Sequence, residues 1–229
     1  MISSDWRAVP GGYQVGDGRV ERVLIPGIAG EVREFSRLTM YRGSGAVRIL
    51  TLPDTETLSL RALASLVEPY LPDHPVVVVG ASFGGLIGRA LPPDRVLRLV
   101  TVGMLPTRTA AATRAGHIGR LVPLLPAPLY EAWYGRRSAS AWAEDGADPA
   151  LVASVRLPSA RVLGARLRAI AAWGLADRPA VPTTMLWGST DAFATWNVAG
   201  VEALGARAVV VPGGHRPHLS HPAEVAQWW

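Results

Sequence analysis

The stretch VVVVGASFGGLIG, Val76 to Gly88, joins an apolar run to a glycine-rich turn, and what that turn holds decides how the chain is read. Four consecutive valines running into glycine read as a strand buried on both faces. A strand that passes through glycines into a helix either cradles a phosphate on backbone N–H groups or lifts a side chain onto a strained bend. A phosphate loop of the G-x-x-x-x-G-K-[ST] kind needs a lysine to neutralise the phosphates. The chain has none, since every basic residue is an arginine. A dinucleotide turn needs G-x-G-x-x-G directly after the strand and an acidic residue at the end of the next one. GASFGG is mis-spaced for it, and the next apolar run, VLRLVTVG, contains no carboxylate.

The remaining reading takes Gly80-x-Ser82-x-Gly84 as a G-x-S-x-G turn that presents a nucleophilic serine. Side chains two residues before and two after such a serine collide, which explains Gly80 and Gly84. Gly85 lets the following helix approach the sheet. The Phe83 N–H, at the positive end of that helix, is aimed at a developing oxyanion. A nucleophilic serine also needs a base and an acid to orient the base. TTMLW followed by GSTD puts Asp191 just past the carboxyl end of one predicted strand, and ARAVVV followed by PGGH puts His215 past another. Open α/β sheets assemble their sites at those carboxyl ends. The predicted catalytic set is Ser82, Asp191 and His215, with His215 taking the serine proton and Asp191 fixing its tautomer. His215, His218 and His221 recur three apart, as metal ligands can, but the intervening and following prolines argue against one coordinating helix face. No metal and no cofactor are expected, and His218 and His221 read as loop and helix-start residues.

Composition bounds the rest. A chain of 229 residues with 49% hydrophobic and 18% charged residues is long enough for one domain with a large core and is not disordered. The absence of cysteine excludes disulfides, thiolate metal sites and thiol catalysis. A net charge of +5 raises the question of a nucleic-acid partner, yet only Arg136 and Arg137 are adjacent, and phosphate tracking needs a clustered basic face. A codon bias towards Ala, Arg, Gly and Pro accounts for the arginines, and no nucleic-acid partner is expected. No apolar run is long enough to span a membrane, and MISSDWRAVPGG lacks the regions of a secretory signal, so a cytoplasmic protein is expected.

Strands alternate with helices as in parallel α/β proteins. YQV and RVERVLI read as a ribbon around Gly16-Asp17-Gly18, with VLIPG as the first parallel strand. A helical segment follows with Val32, Phe35 and Leu38 on one face. VRILTL, Val47 to Leu52, reads as the next strand. Ser59 caps a helix burying Leu60, Leu63, Leu66, Val67 and Tyr70. From about Met104 the alternation gives way to proline-punctuated helical pieces: PAPLYEAWYGRR, a helix starting at Asp148-Pro149, and SARVLGARLRAIAAW. The series resumes at TTMLW, Thr183 to Trp187, and ARAVVV, Ala206 to Val211, with Gly205 ending the helix between them. The expected organisation is a core of residues 1–103 and 181–229 with a helical cap inserted over 104–180.

VLIPGIAG, GASFGG, GSTD and GGHRPHLSHP together resemble the serine branch of the α/β-hydrolase fold superfamily, across nearly the whole chain outside the cap. The resemblance implies a mostly parallel twisted sheet flanked by helices, with the backbone N–H of Ile28 as second oxyanion donor beside Phe83. It departs from the common pattern at Pro26, where a histidine often braces the loop, at Ser220, where an acid is usual, and in its short last helix. Ser82 sets the chain apart from the dehalogenase and epoxide-hydrolase branches, which use aspartate there. The resemblance thus implies acyl chemistry on a small, apolar acyl substrate, first a carboxylic ester. Alternatives are a thioester on an acyl carrier protein or CoA, a lyase or eliminase reusing the triad, and a non-catalytic ligand-binding protein. Tyr130, Trp133, Tyr134 and Trp142 of the cap, with Phe193 and Trp196 beside Asp191, are candidates to line the pocket or to pack the cap's own core.

Overall fold

In the computed structural model, residues 5–57, 59–104, 110–173, 179–193 and 198–229 are described, those at 110 and 111 by backbone only. The strands are β1 (Trp6–Val9), β2 (Gly12–Val15), β3 (Val20–Ile25), β4 (Ala46–Leu50), β5 (Val76–Ala81), β6 (Val96–Val102), β7 (Thr183–Gly188) and β8 (Arg207–Val211). They form one sheet in the order β1-β2-β4-β3-β5-β6-β7-β8. The β1–β2 and β2–β4 pairs are antiparallel and all the others parallel. The helices are α1 (Leu60–Val67), α2 (Phe83–Ala90), α3 (Ala110–Leu121), α4 (Ala127–Glu144), α5 (Pro149–Ser154), α6 (Ala160–Ala172), α7 (Val198–Ala203), α8 (Pro217–Ser220) and α9 (Pro222–Ala226).

The valine run lies near the middle of the sheet and feeds both faces of the core. Val76 and Val78 pack with Leu63, Val67, Ile87 and Leu99, while Val79 and Ala81 pack with Leu24, Phe35, Ile49 and Val100 on the other face. Val78 and Val79 are fully buried, each stabilising the fold by about 2 kcal/mol through lost apolar exposure. The Ser59 hydroxyl caps α1 by accepting from the Ala62 N–H at 3.3 Å, as expected.

Several local expectations are corrected. β2 and β3 do not form a ribbon around Gly16-Asp17-Gly18. β2 instead pairs with β1 across the Pro10-Gly11 turn, and β3, VERVLI, runs between β4 and β5. Val20, Val23, Leu24 and Ile25 are all buried, so β3 belongs in the sheet interior and not at its edge. The segment holding Val32, Phe35 and Leu38 is two short 3-10 turns, Val32–Phe35 and Leu38–Tyr41, with all three side chains buried. The strand expected over 47–52 ends at Leu50. In α1 the inward stripe is Leu60, Leu63, Ala64 and Val67, whereas Leu66 and Tyr70 are exposed. α3 to α6 lie between β6 and β7, with α3 packed along α6. Asp148 and Ser159 accept from the N–H groups of Ala150 and Val162 and so start α5 and α6. No helix among the described residues is long and apolar enough to cross a membrane.

Candidate active site

The turn after β5 holds Ser82 at φ 48° and ψ −110°, the one non-glycine residue with positive φ among those described. The bend is possible because its neighbours lack side chains. A Cβ on Gly80 would overlap the Gly84 and Gly85 backbone, and one on Gly84 would overlap the Ile25 and Pro26 carbonyls. A Cβ on Gly85 would stand 3.2 Å from both the Gly80 oxygen and the Thr101 side chain, as expected for a helix pressed onto the sheet. The Ser82 N–H donates to the Val102 carbonyl at 2.6 Å, tying the turn to β6.

Ser82, Asp191 and His215 come together at the carboxyl ends of β5, β7 and β8. Ser82 Oγ lies 3.1 Å from His215 Nε2, and His215 Nδ1 lies 3.0 Å from Asp191 Oδ2. The second carboxylate oxygen of Asp191 accepts from the Phe193 N–H at 2.8 Å. The Asp191 side chain is fully buried and that of His215 is 13% exposed. Glycine clears the path for the histidine loop. A Cβ on Gly103 would overlap the His215 carbonyl, and one on Gly188 the carbonyls of Gly213 and Gly214. The Phe193 ring meets the imidazole edge-on with centroids 5.4 Å apart. A hydroxyl, an imidazole and a buried carboxylate in this order can move a proton off the hydroxyl while the carboxylate supports the imidazolium.

Two backbone N–H groups near Ser82 are left over. The Phe83 N–H opens α2 and the Ile28 N–H sits in the loop after β3, and neither has a partner among the described residues. A cavity of about 50 Å³, bounded by Gly27, Ile28, Ser82, His215, Trp142 and His218, leaves room for a carbonyl oxygen beside the serine. It adjoins a pocket of about 770 Å³ that also reaches Ser82 and His215 and is walled by α3, α4 and α6. That is the size of a small-molecule site.

Of the aromatic candidates, Trp133, Tyr134 and Phe193 line the large pocket. Trp142 lines the small cavity instead, under the Arg216 guanidinium at 4.9 Å from its ring centre. Tyr130 turns inward, packs with Val122 and Leu163, and donates to the Pro158 carbonyl, so it lines neither. Burial pushes the Tyr130 phenol above its ordinary pKa. Trp196 lies outside the described residues. His218 is not the loop histidine expected. It is fully buried in α8, 3.7 Å from Glu34 Oε2 and against the Phe35 ring. Ser220 Oγ lies 2.9 Å from His221 Nδ1, away from the Ser82 chain. Among the described residues no group of three or more His, Asp or Glu could hold a metal ion.

Sequence reading missed Arg114 and Arg137, which line the large pocket, and the buried Glu34 and Arg166, which grip the Ile28 loop. Arg166 sits on the buried stripe of α6 and Glu34 between buried Val32 and Phe35, so a charge in an apolar pattern was the available signal.

The family model described as the alpha/beta hydrolase family matches residues 14–228. No curated protein sequence matches the chain. Among solved structures, a hydrolase from Pseudomonas aeruginosa PA01 superposes with a TM-score of 0.74 at 17% identity, covering 98% of this chain and 97% of that one. A thermophilic esterase from Thermogutta terrifontis gives 0.68 at 18% identity over 97% and 94% of the two chains. The thioesterase domain from the curacin biosynthetic pathway gives 0.68 at 16% identity over 97% and 96%. At such identities the solved structures speak for the fold, whereas the family model spans nearly the whole sequence, with the hydroxyl–imidazole–carboxylate chain inside its bounds: the protein belongs to the alpha/beta hydrolase family.

Proposed function

We propose that the protein is a serine hydrolase that cleaves a carboxylic ester through an acyl-enzyme on Ser82. The observation that carries this is the continuous Ser82–His215–Asp191 hydrogen-bond chain opening onto a mainly apolar pocket. His215 Nε2 takes the Ser82 proton as Oγ attacks the acyl carbonyl, and the Phe83 and Ile28 N–H groups hold the oxyanion. The imidazolium then protonates the departing alcohol. Water loses a proton to His215, attacks the acyl-serine, and the acid leaves as Ser82 is reprotonated. Trp133, Tyr134 and Phe193 receive the apolar acyl part, and α3 to α6 act as the cap that selects it.

One observation favours a thioester as a second reading. Arg114 and Arg137 line the pocket, no carboxylate does, and neither arginine has an ion pair among the described residues. Two free cations at the rim suit a substrate with an anionic far end, as an acyl group on CoA or on a carrier protein has.

A fluorophosphonate probe tests the common core of both readings. Labelling of the wild type and none of Ser82→Ala is the expected result, with mass spectrometry locating an acyl adduct on Ser82 after exposure to p-nitrophenyl esters and acyl thioesters. A wild-type protein inert to probe and panels would sink the hydrolase reading and leave the lyase and ligand-binding alternatives.

A further inference from the structure

The loop that carries the Ile28 N–H, residues 26–30, belongs to no helix or strand and reads Pro-Gly-Ile-Ala-Gly. It has no polar side chain with which to brace itself, and Pro26 lacks an N–H. Its rigidity comes from elsewhere. The Gly27 N–H donates to Glu34 Oε1 at 2.6 Å. The Gly27 carbonyl accepts from the Gly30 N–H at 2.9 Å. The Ile28 carbonyl accepts from Arg166 Nη1 at 2.7 Å. Of these four backbone groups in a row, only the Ile28 N–H is without a partner among the described residues.

We propose that Arg166 and Glu34 are positioning residues that lock the Ile28 peptide so that its one free N–H points at the oxyanion; this rests on the hydrolase reading of Ser82. Turning that N–H away requires rotating the Gly27–Ile28 peptide plane. The rotation pulls the Gly27 carbonyl off Gly30, and the planes on either side are each pinned by an ionic side chain. Both pins are themselves fixed. Arg166 is 3% exposed, and its other arm, Nη2, donates to the Pro53 carbonyl at 3.0 Å. Glu34 is 2% exposed and wedged between Gly27 and buried His218.

The choice of partner is informative. Among the described residues no carboxylate lies within ion-pair distance of Arg166, so its charge is spent on carbonyl oxygens. Burial pushes its pKa below the ordinary arginine value, against a smaller opposing effect of Asp54, yet a guanidinium stays charged at neutral pH. Buried and unmatched, the cation gains little as simple glue between α6 and the sheet domain. On the Ile28 carbonyl, it both orders the peptide and places positive charge beside the site where the oxyanion develops.

Four variants test this: Arg166→Met, Arg166→Lys, Glu34→Ala and Glu34→Gln. Three readouts are taken on each, namely ¹⁵N relaxation of the Gly27 and Ile28 amides, ester turnover, and affinity for a phenylboronic acid that forms a tetrahedral adduct on Ser82. Loss of one oxyanion donor costs about 10²–10³ in kcat, and a loosened donor costs a part of that. The expected result for Arg166→Met and Glu34→Ala is a fall of about tenfold or more in kcat with KM within about threefold. Boronate affinity falls by a similar factor and the two amides become more mobile. Glu34→Gln keeps an acceptor for Gly27 and retains most activity; Arg166→Lys falls between. If Arg166→Met does not fold, the Glu34 pair and Arg166→Lys carry the same test. Amides as ordered in the variants as in the wild type overturn the proposal, as does a rise in KM with kcat unchanged. The amide readout needs no activity. A wild type inert to substrate and boronate whose amides still loosen in Arg166→Met refutes the hydrolase reading and leaves the locking of the loop established.

Discussion

Replacing Ser82 by glycine and by alanine separates the strain of the turn from the chemistry of the hydroxyl. Both substitutions remove Oγ and its 3.1 Å contact with His215. Both keep the Ser82 N–H bond to Val102, and neither loses a helix cap, because the Ser82 side chain makes none. They differ in backbone. At φ 48° and ψ −110° a residue with a Cβ is strained, by about 1–3 kcal/mol. Glycine relieves that strain but loses about 0.5–1 kcal/mol relative to alanine through its freer unfolded chain. The balance leaves Ser82→Gly more stable than Ser82→Ala by about 1 kcal/mol. An unfolding entropy of about 2.1 cal/mol/K per residue makes that about 2 °C in a chain of this length. Calorimetric melting of the two variants side by side measures it. If Ser82→Gly melts at or below Ser82→Ala, the turn is not strained and the argument for stored strain at this serine fails.

Other expectations follow the same geometry. Gly80→Ala and Gly84→Ala force a Cβ into backbone that cannot yield, so each should lower stability by about 3 kcal/mol or block folding. Gly85→Ala, with contacts of 3.2–3.3 Å, should cost about 1 kcal/mol, and equal losses at all three positions in urea titrations would contradict the clash argument. Asp191→Asn should leave the fold intact and cut kcat about 10⁴-fold by fixing the wrong histidine tautomer, measured on any ester the wild type turns over. Arg114→Glu with Arg137→Glu should lower kcat/KM about tenfold for a substrate with an anionic tail at low salt, and barely for a neutral ester of the same acyl group. Equal losses on both substrates would remove the thioester reading.

Much of the fold and the Ser82–Asp191–His215 chain was legible in the sequence because each part is a local pattern. Val76 to Val79 announce a strand buried on both faces, Gly80 and Gly84 are demanded by sterics around one residue, and Asp191 and His215 each follow an apolar strand directly. What stayed hidden depends on partners far along the chain. Arg166 and Ile28 are 138 residues apart, and the bond runs to a backbone carbonyl, which no residue type announces. The strand order hid for the same reason. β2 and β3 are consecutive, yet β4 comes between them, so the short turn at Gly16-Asp17-Gly18 misleads. Tyr130 and Tyr134 occupy nearly the same helix face with rings stacked 5.7 Å apart, but only the latter reaches the pocket, a difference set by the Pro158 carbonyl that holds Tyr130.

Three of the arginines spread along the sequence, Arg33, Arg37 and Arg216, meet in space where the α4–α6 region lies against the rest of the fold. Arg33 donates to the Ser154 hydroxyl and carbonyl at 2.8 and 2.7 Å, and Arg37 to the Gly146 and Leu219 carbonyls at 3.1 and 2.9 Å. Arg216 pairs with Asp145 at 2.6 Å while lying over Trp142. A guanidinium reaches two acceptors at once in a fixed fork, whereas an ammonium is a single point charge on a flexible stem. A codon bias towards arginine would account for the number of these residues but not for their placement. This seam holds the helical segment down by several charge-assisted bonds. Arg33→Lys combined with Arg37→Lys should accordingly raise hydrogen exchange in α5 and at Gly146 while leaving β5 and β6 unchanged, since the sheet does not rely on either side chain. Unchanged exchange in α5 would mean that the seam's hydrogen bonds are incidental and that apolar packing alone, such as that of Ala169 and Ile170 in the core shared with Ile25, Phe83 and Met104, keeps the segment in place.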